Sequence, residues 1–343
     1  MRRICITSLF RNVDHRLFSS IRSVSDPRSR PIICLGHAAL DRIYRVASLP
    51  VGSTKLRATG YSEVGGGMAS NAACAISRLC DPARHSVEFW GRTGSDSAGS
   101  IIRDQFKLFD VNVDHVKVFD GCMSSQSAVM VDDAGERMIV NYRGDVPIDD
   151  VSWLPIERIA GAAAVLTDVR WLDGGRALLE AARASNIPSV LDADLGDVSI
   201  VRSLAPLAGH AIFSEPGLDN WFGSCCEDEH AIGHALRSAV ESGAEVAGVT
   251  RGERGVMLWV DGSLRSVPAF KVNVVDTLGA GDVFHGAYAL GLAESMSPVD
   301  AARFASAAAA IKCSRHGGRS GSPTRRDVEV LLAGSNPLTS SVC

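Results

Sequence analysis

No uninterrupted apolar stretch in the 343 residues approaches the roughly 18 that a membrane-spanning helix needs, so no membrane partner is expected. A basic domain or stripe is missing too. The formal net charge is -4, which argues against nucleic acid or any partner held through bulk electrostatics and leaves small ligands. The nine cysteines carry no C-x-x-C or similar metal-ligand spacing. Several, among them Cys34, Cys74, Cys80 and Cys313, fall within apolar runs, and Cys225 and Cys226 are adjacent. Disulfide frameworks belong to short secreted chains, so buried free thiols in a reducing compartment, and hence a cytoplasmic protein, are expected. Acids are scarce over residues 1–30, where seven arginines and many serines face only Asp14 and Asp26. That composition imitates an organelle transit peptide. A disordered tail or a misplaced start codon is preferred, because the enzyme-like pattern begins cleanly at Pro31.

What remains, residues 31–335, has the make-up of a soluble globular protein, 46% hydrophobic and 22% charged over the whole chain, and one main domain is expected. A short buried-strand pattern at Ile32–Leu35 ends in Gly36. The segment from Leu49 to Val64 alternates polar and apolar residues with glycine and proline punctuation and reads as exposed strand and turn. GGGMASNAACAISRLC, from Gly65, opens on glycines and runs into a helix with Met68, Ala72, Ile76 and Leu79 at helical spacing. Residues 124–142 read as a hairpin turning at 132–135. After it, strand-like runs (AAVLTDV, IPSVLDAD, HAIFSEP, VAGVTRG) alternate with helical stretches at 174–185 and 229–243. Such alternation implies βαβ units and a parallel sheet. The early extended stretch, about 38–64, and the hairpin, about 122–143, stand outside that rhythm and are expected to pair as a small β lid.

The most informative stretch is FKVNVVDTLGAGDVFHGAYALGLAE, from Phe270: an extended run, a glycine loop, then a helix. The loop falls at the helix N-terminus, where the unpaired amides of Gly279, Ala280 and Gly281 can face an anion favoured by the helix dipole. Asp282 in the first turn can accept the proton of an attacking hydroxyl beside that anion. An ordinary acid at a helix start is the plain alternative, which the strand-loop-helix context and Gly286 weigh against.

DTLGAGD resembles the second signature of the ribokinase-like (PfkB) carbohydrate kinases, and GGGMASNAACAISRL resembles their first. The two signatures stand in the family's order, and the likeness runs from Ile32 to about Leu332. It implies a three-layer αβα sandwich with a small β-sheet lid, ATP as donor with Mg2+, and phosphate transfer to a sugar hydroxyl. It carries the base role to Asp282 and the anion hole to residues 279–281. Asp41, Gly66, Gly67 and Asn71 are implied on the sugar side. Thr250, Gly252 and Gly255 in VTRGERGV, with Gly317 after FASAAAAIKCSRHGG, are implied on the nucleotide side. Backbone oxygens of Asp276 and Leu278 are implied to hold a monovalent cation, K+, and lid strands to pair into a homodimer. One departure is that the family's N-x-x-E is Ser214 and Gly217 here, which leaves Glu215 or water to help organise magnesium.

Further stretches (DRIYRVASLP, EVGGG, SSQSAVMVDDAGERMIVNY, DVRW, FSEPGL) resemble one bacterial branch of the family, the 6-deoxy-6-sulfofructose kinases. That likeness implies phosphorylation of sulfofructose to its 1-phosphate, with Lys55, Asn141 and Arg170 binding the sulfonate. Ribose, fructose or tagatose phosphate, a 2-keto-3-deoxy acid or a nucleoside are the other acceptors of the same reaction class. A non-catalytic sugar sensor would be expected to lose the acid at 282, which is present.

Overall fold

The computed structural model describes residues 29–134 and 136–334. The segment read as targeting-like at 1–30 therefore lies, but for its last two residues, outside the described residues, as does residue 335. Thirteen strands and nine α-helices are found among the described residues. The strands are β1 Arg30–Leu35, β2 Ala39–Arg45, β3 Gly60–Gly66, β4 His85–Gly94, β5 Val116–Phe119, β6 Ser125–Val131, β7 Arg137–Tyr142, β8 Ala164–Asp168, β9 Ser189–Ala193, β10 His210–Ser214, β11 Val246–Thr250, β12 Val256–Val260 and β13 Ser263–Val267. The helices are α1 Met68–Leu79, α2 Ser97–Lys107, α3 Leu172–Ala184, α4 Val198–Leu204, α5 Glu215–Phe222, α6 Glu229–Glu241, α7 Ala280–Ala293, α8 Pro298–Cys313 and α9 Arg325–Gly334.

Nine strands form one sheet in the order β13-β12-β11-β10-β9-β8-β1-β4-β5. All pairs are parallel except β11–β12 and β12–β13, so the expected βαβ rhythm ends in an antiparallel edge. Alternation along β1 shows why helices lie on both faces. Ile32 and Cys34 pack with α1, α7 and α8, whereas Ile33 and Leu35 pack with Trp90, Trp171 and Leu178. Further along, Leu191, Phe213 and Val249 meet Ile232 and Leu236 of α6. β1 sits between β4 and β8, the point where strand order reverses, and crevices for ligands open there at the carboxyl ends of the strands.

The remaining four strands make a separate sheet, β3-β2-β6-β7, with β2 and β6 parallel and the other pairs antiparallel. The β6–β7 hairpin turns at Asp132, whose Oδ1 accepts from the amides of Ala134 and Glu136 at 3.0 and 2.9 Å. α7 is buried without interruption from Val283 to Leu292, as befits a helix apolar all round. It crosses α1 so closely that a Cβ on Gly286 would stand 2.6 Å from the Ala72 carbonyl oxygen. Among the described residues no helix is long and apolar enough to cross a membrane, and Cys34, Cys74, Cys225 and Cys226 are buried and free.

Candidate active site

The loop before α7 is shaped by Asp276 and Gly279. Asp276 Oδ1 accepts from the Leu278 amide at 2.9 Å, and Gly279 takes φ 76, a left-handed value that a side chain would strain. The Ala280 amide donates back to Thr277 O at 3.2 Å, so that one of the three expected anion donors is engaged within the turn. No protein acceptor is found among the described residues for the amides of Gly279 and Gly281, and nothing lies within 4 Å of the Cβ position of Gly281. Two donors at the N-terminus of a 14-residue helix are thus left without a protein acceptor among the described residues.

Asp282 follows in the first turn, half-buried, and Asn71 Nδ2 donates to its Oδ2 at 2.6 Å. Burial pushes the Asp282 carboxyl up to about 7, the buried Asp192 carboxylate adds to the rise, and the Asn71 bond holds it back. The orientation of Asn71 is fixed from its other side. Arg319 Nε, which can only donate, meets Asn71 Oδ1 at 3.0 Å, leaving Nδ2 for Asp282. Arg319 is itself buried and also donates to Gly66 O at 3.2 Å and Ser70 Oγ at 2.8 Å.

Gly66 and Gly67 are approached closely by their neighbours. A Cβ on Gly66 would stand 2.1 Å from Asp41 Oδ2, and one on Gly67 2.3 Å from His37 O. The glycines let the Asp41 carboxylate and the 37–38 backbone pack against them. Gly67, at φ 99, also lines a cavity of about 450 Å³. Asp41, Asn141, Arg143, Arg170, His37 and Asp197 share that cavity's wall with Ser127 of β6. Burial raises the Asp41 pKa, against the Ser127 hydrogen bond and the nearby Arg319. Asn141 Nδ2 donates to Ser127 Oγ at 3.2 Å, and Arg170 Nη2 to Leu195 O at 3.0 Å. Lys55 is not brought to this site: it stands exposed on the segment joining β2 to β3 and does not line the cavity. Residues 51–59 around it are likewise exposed.

Several polar groups in the crevice escaped the sequence reading. Asp168, fully buried, accepts from the His37 amide at 2.8 Å and the Ala69 amide at 3.2 Å through Oδ2, and from the Arg170 amide at 2.9 Å through Oδ1. It binds the ends of β1 and β8 to the start of α1, and a polar residue closing an apolar strand was the available signal. Arg143, one position past β7, is another.

Thr250 ends β11 and donates to Phe213 O at 3.3 Å, with Gly252 (φ 55) and Gly255 (φ 84) in the turn that follows. Gly255 is required by the β12–β13 hairpin, since a Cβ there would lie 2.2 Å from Val267 O, while Gly252 faces open space. Beside Thr250, Ser214 Oγ donates to Asp194 Oδ1 at 2.6 Å. Glu215 is drawn the other way, paired with Arg254 and with Arg251 at 3.5 Å. Asp192, next to Asp194, is buried with Oδ1 unpartnered and its pKa raised by desolvation and then by Asp194. Gly317, at φ 102, donates its amide to Asp276 Oδ2 at 3.0 Å, laying the loop after α8 against the glycine loop.

A carboxyl at the start of a helix entered from a glycine loop, and a polar cavity at the carboxyl edge of a doubly covered sheet, belong to a ribokinase-like fold. The pattern of the pfkB family of carbohydrate kinases matches residues 29–325. The ribokinase of Arabidopsis thaliana is 27% identical over 328 residues, 91% of this chain and 83% of that protein. The ribokinase of Bacillus subtilis (strain 168) is 26% identical over 311 residues, 89% of this chain and all, 100%, of that protein. The solved Arabidopsis ribokinase complexed with ribose and ATP superposes with a TM-score of 0.78 at 25% identity, covering 89% of this chain and 99% of that one. The chain belongs to the pfkB family of carbohydrate kinases, and it is an ATP-dependent sugar kinase.

Proposed function

We propose that this kinase phosphorylates the free primary hydroxyl of an anionic ketose, 6-deoxy-6-sulfofructose, to give its 1-phosphate. One observation carries the reading: the cavity holding Asp41 and Asn141 also presents two guanidinium groups, Arg143 and Arg170. A tetrahedral anion takes charge-assisted N–H bonds from such forks, each stronger than a neutral one. The sequence likeness to the sulfofructose kinases supports the same acceptor, and Arg143 adds a cation to the cavity that the sequence reading did not name.

In this reading Asp41 and Asn141 hold the sugar, and Asp282 accepts the proton of the attacking hydroxyl. The Gly279 and Gly281 amides stabilise charge on the transferring phosphoryl group. The nucleotide lies along Thr250, Gly252 and Gly317. Asp194 and Asp192 fit a magnesium ion, being hard oxygen ligands whose raised Asp192 pKa a cation would relieve. Bound there with ATP, Mg2+ supplies charge neutralisation on the phosphates. The small sheet serves as a lid and, through its open edge at β7, as the seam of a homodimer. The free thiols support a cytoplasmic site of action.

A neutral pentose is the second reading, favoured by the ribokinase relatives. Rates of ADP release with sulfofructose, fructose 6-phosphate and ribose separate the two. Wild type is expected to prefer sulfofructose, with Arg143→Ala and Arg170→Ala each lowering kcat/KM for it about tenfold or more and leaving any ribose turnover unchanged. A preference for ribose, or full sulfofructose activity in both variants, removes the anionic pocket.

A further inference from the structure

Lys312 is the one lysine among the described residues buried to 0% exposure, on an α8 face otherwise made of alanine, phenylalanine and isoleucine. Its ammonium has two hydrogen-bond acceptors and an ion-pair partner. Nζ donates to Asp276 O at 2.9 Å and to Arg315 O at 3.3 Å, and lies 3.7 Å from Asp276 Oδ2. Two backbone carbonyls and a carboxylate gathered in a buried spot are the donor set of a monovalent cation site. It lies beside Asp276, where the family likeness implied K+. The chain makes room for the lysine stem deliberately: a Cβ on Gly321 would stand 3.1 Å from Lys312 Cδ.

Both strands of the surrounding loop pair converge on this charge. The Val275 and Asp276 amides donate to Cys313 O at 2.7 and 3.1 Å, and Asp276 Oδ2 accepts from Gly317. The ammonium thus sits between the loop that opens the anion hole and the loop that follows α8. An ammonium and a potassium ion are of nearly equal size and charge. A diffusible ion cannot share carbonyls that already accept from a tethered one.

We propose that Lys312 is a built-in cation that replaces a diffusible monovalent ion beside the phosphate loop, so that the enzyme needs no potassium. Lys312 is a positioning residue: it acts through Asp276 on the loop carrying Gly279 and Gly281. K+ therefore does not fit at Asp276 and Leu278 in this chain.

The test compares potassium chloride with choline chloride at equal ionic strength, reading melting temperature, affinity for a non-hydrolysable ATP analogue and thallium-205 NMR as a direct probe of K+-type sites. None of these depends on which sugar is the acceptor, so their failure is distinct from failure of the sulfofructose reading. Wild type is expected to be indifferent to potassium in all three. Lys312→Ala, with the ammonium removed and its oxygens kept, is expected to lose nucleotide affinity in choline and to recover at least about fivefold in potassium, with thallium binding gained. Should that variant fold only in potassium, the proposal is supported equally. Should it fold in neither salt, Lys312→Met, which keeps the stem and loses the charge, decides: lowered nucleotide affinity in both salts is expected, and wild-type affinity overturns the proposal. Thallium binding or potassium activation in wild type, or a folded Lys312→Ala that ignores potassium, overturns it outright.

Discussion

Asp282, the proposed base, has its carboxyl shifted toward neutrality. With its carboxyl at about 7 against an ordinary 3.8, the free enzyme is partly protonated near neutrality and turnover is expected to climb with pH up to that value. The same shift bears on folding. The unfolded chain releases this proton at ordinary carboxylate pH while the native state retains it, so the native state is favoured at low pH and loses that advantage as pH rises toward 7. Asp282→Asn is therefore expected to lower kcat about 10²- to 10⁴-fold while raising the melting temperature by a few degrees at pH 8. That gain should shrink as pH falls toward 4, which differential scanning calorimetry across pH checks. Asp282 and Asn71, which the structure brings together, could be singled out because each sits in a local motif whose chemistry is stated by its neighbours. Arg319, which aligns Asn71 across 248 residues, was not, because nothing in the SGSP segment around it says what it will touch. Lys55 differs from these: the structure leaves it exposed and outside the cavity lining, because a charge in a lid-like segment looks available whether or not the segment turns inward.

Helices and strands brought these residues together through backbone contact more than through side chains. The α1–α7 crossing, closed down by Gly286, is what seats Asn71 of one helix beside Asp282 of the other. Gly286→Ala is expected to destabilise the fold by about 1–3 kcal/mol, from overpacking against Ala72 O. It should also lower kcat more than it changes KM for ATP, since it separates base from amide without touching the nucleotide side; urea unfolding and steady-state kinetics read both. The elements themselves were largely readable from period: α3 and α6 lie within two residues of the stretches read at 174–185 and 229–243. Strand order was not readable, because the alternation that announces βαβ units is silent on which side of β1 each strand joins. Nor was the antiparallel β12–β13 edge, which breaks the rhythm only after it has been established.

For the molecule as a whole, β7 poses a question of exposure. All six of its residues are exposed, with Val140 at 61% and Ile139 at 55%, and one of its edges has no strand partner among the described residues. Such an edge invites pairing with another copy. Light scattering coupled to size exclusion is expected to find a dimer for the proposed lid-to-lid assembly, and Val140→Glu to shift it to monomer; a wild-type monomer rules that seam out. The small sheet is also fastened to the phosphate loop within one chain, because Arg137 of β7 donates to Asp276 Oδ1 at 2.9 Å. This pair is partly solvated, with side chains 29% and 14% exposed, and such contacts contribute on the order of 1 kcal/mol or less. In the proposed mechanism a latch of that strength would register closure of the lid at the loop assigned to phosphate, yet be weak enough for thermal motion to undo it in every round of product escape.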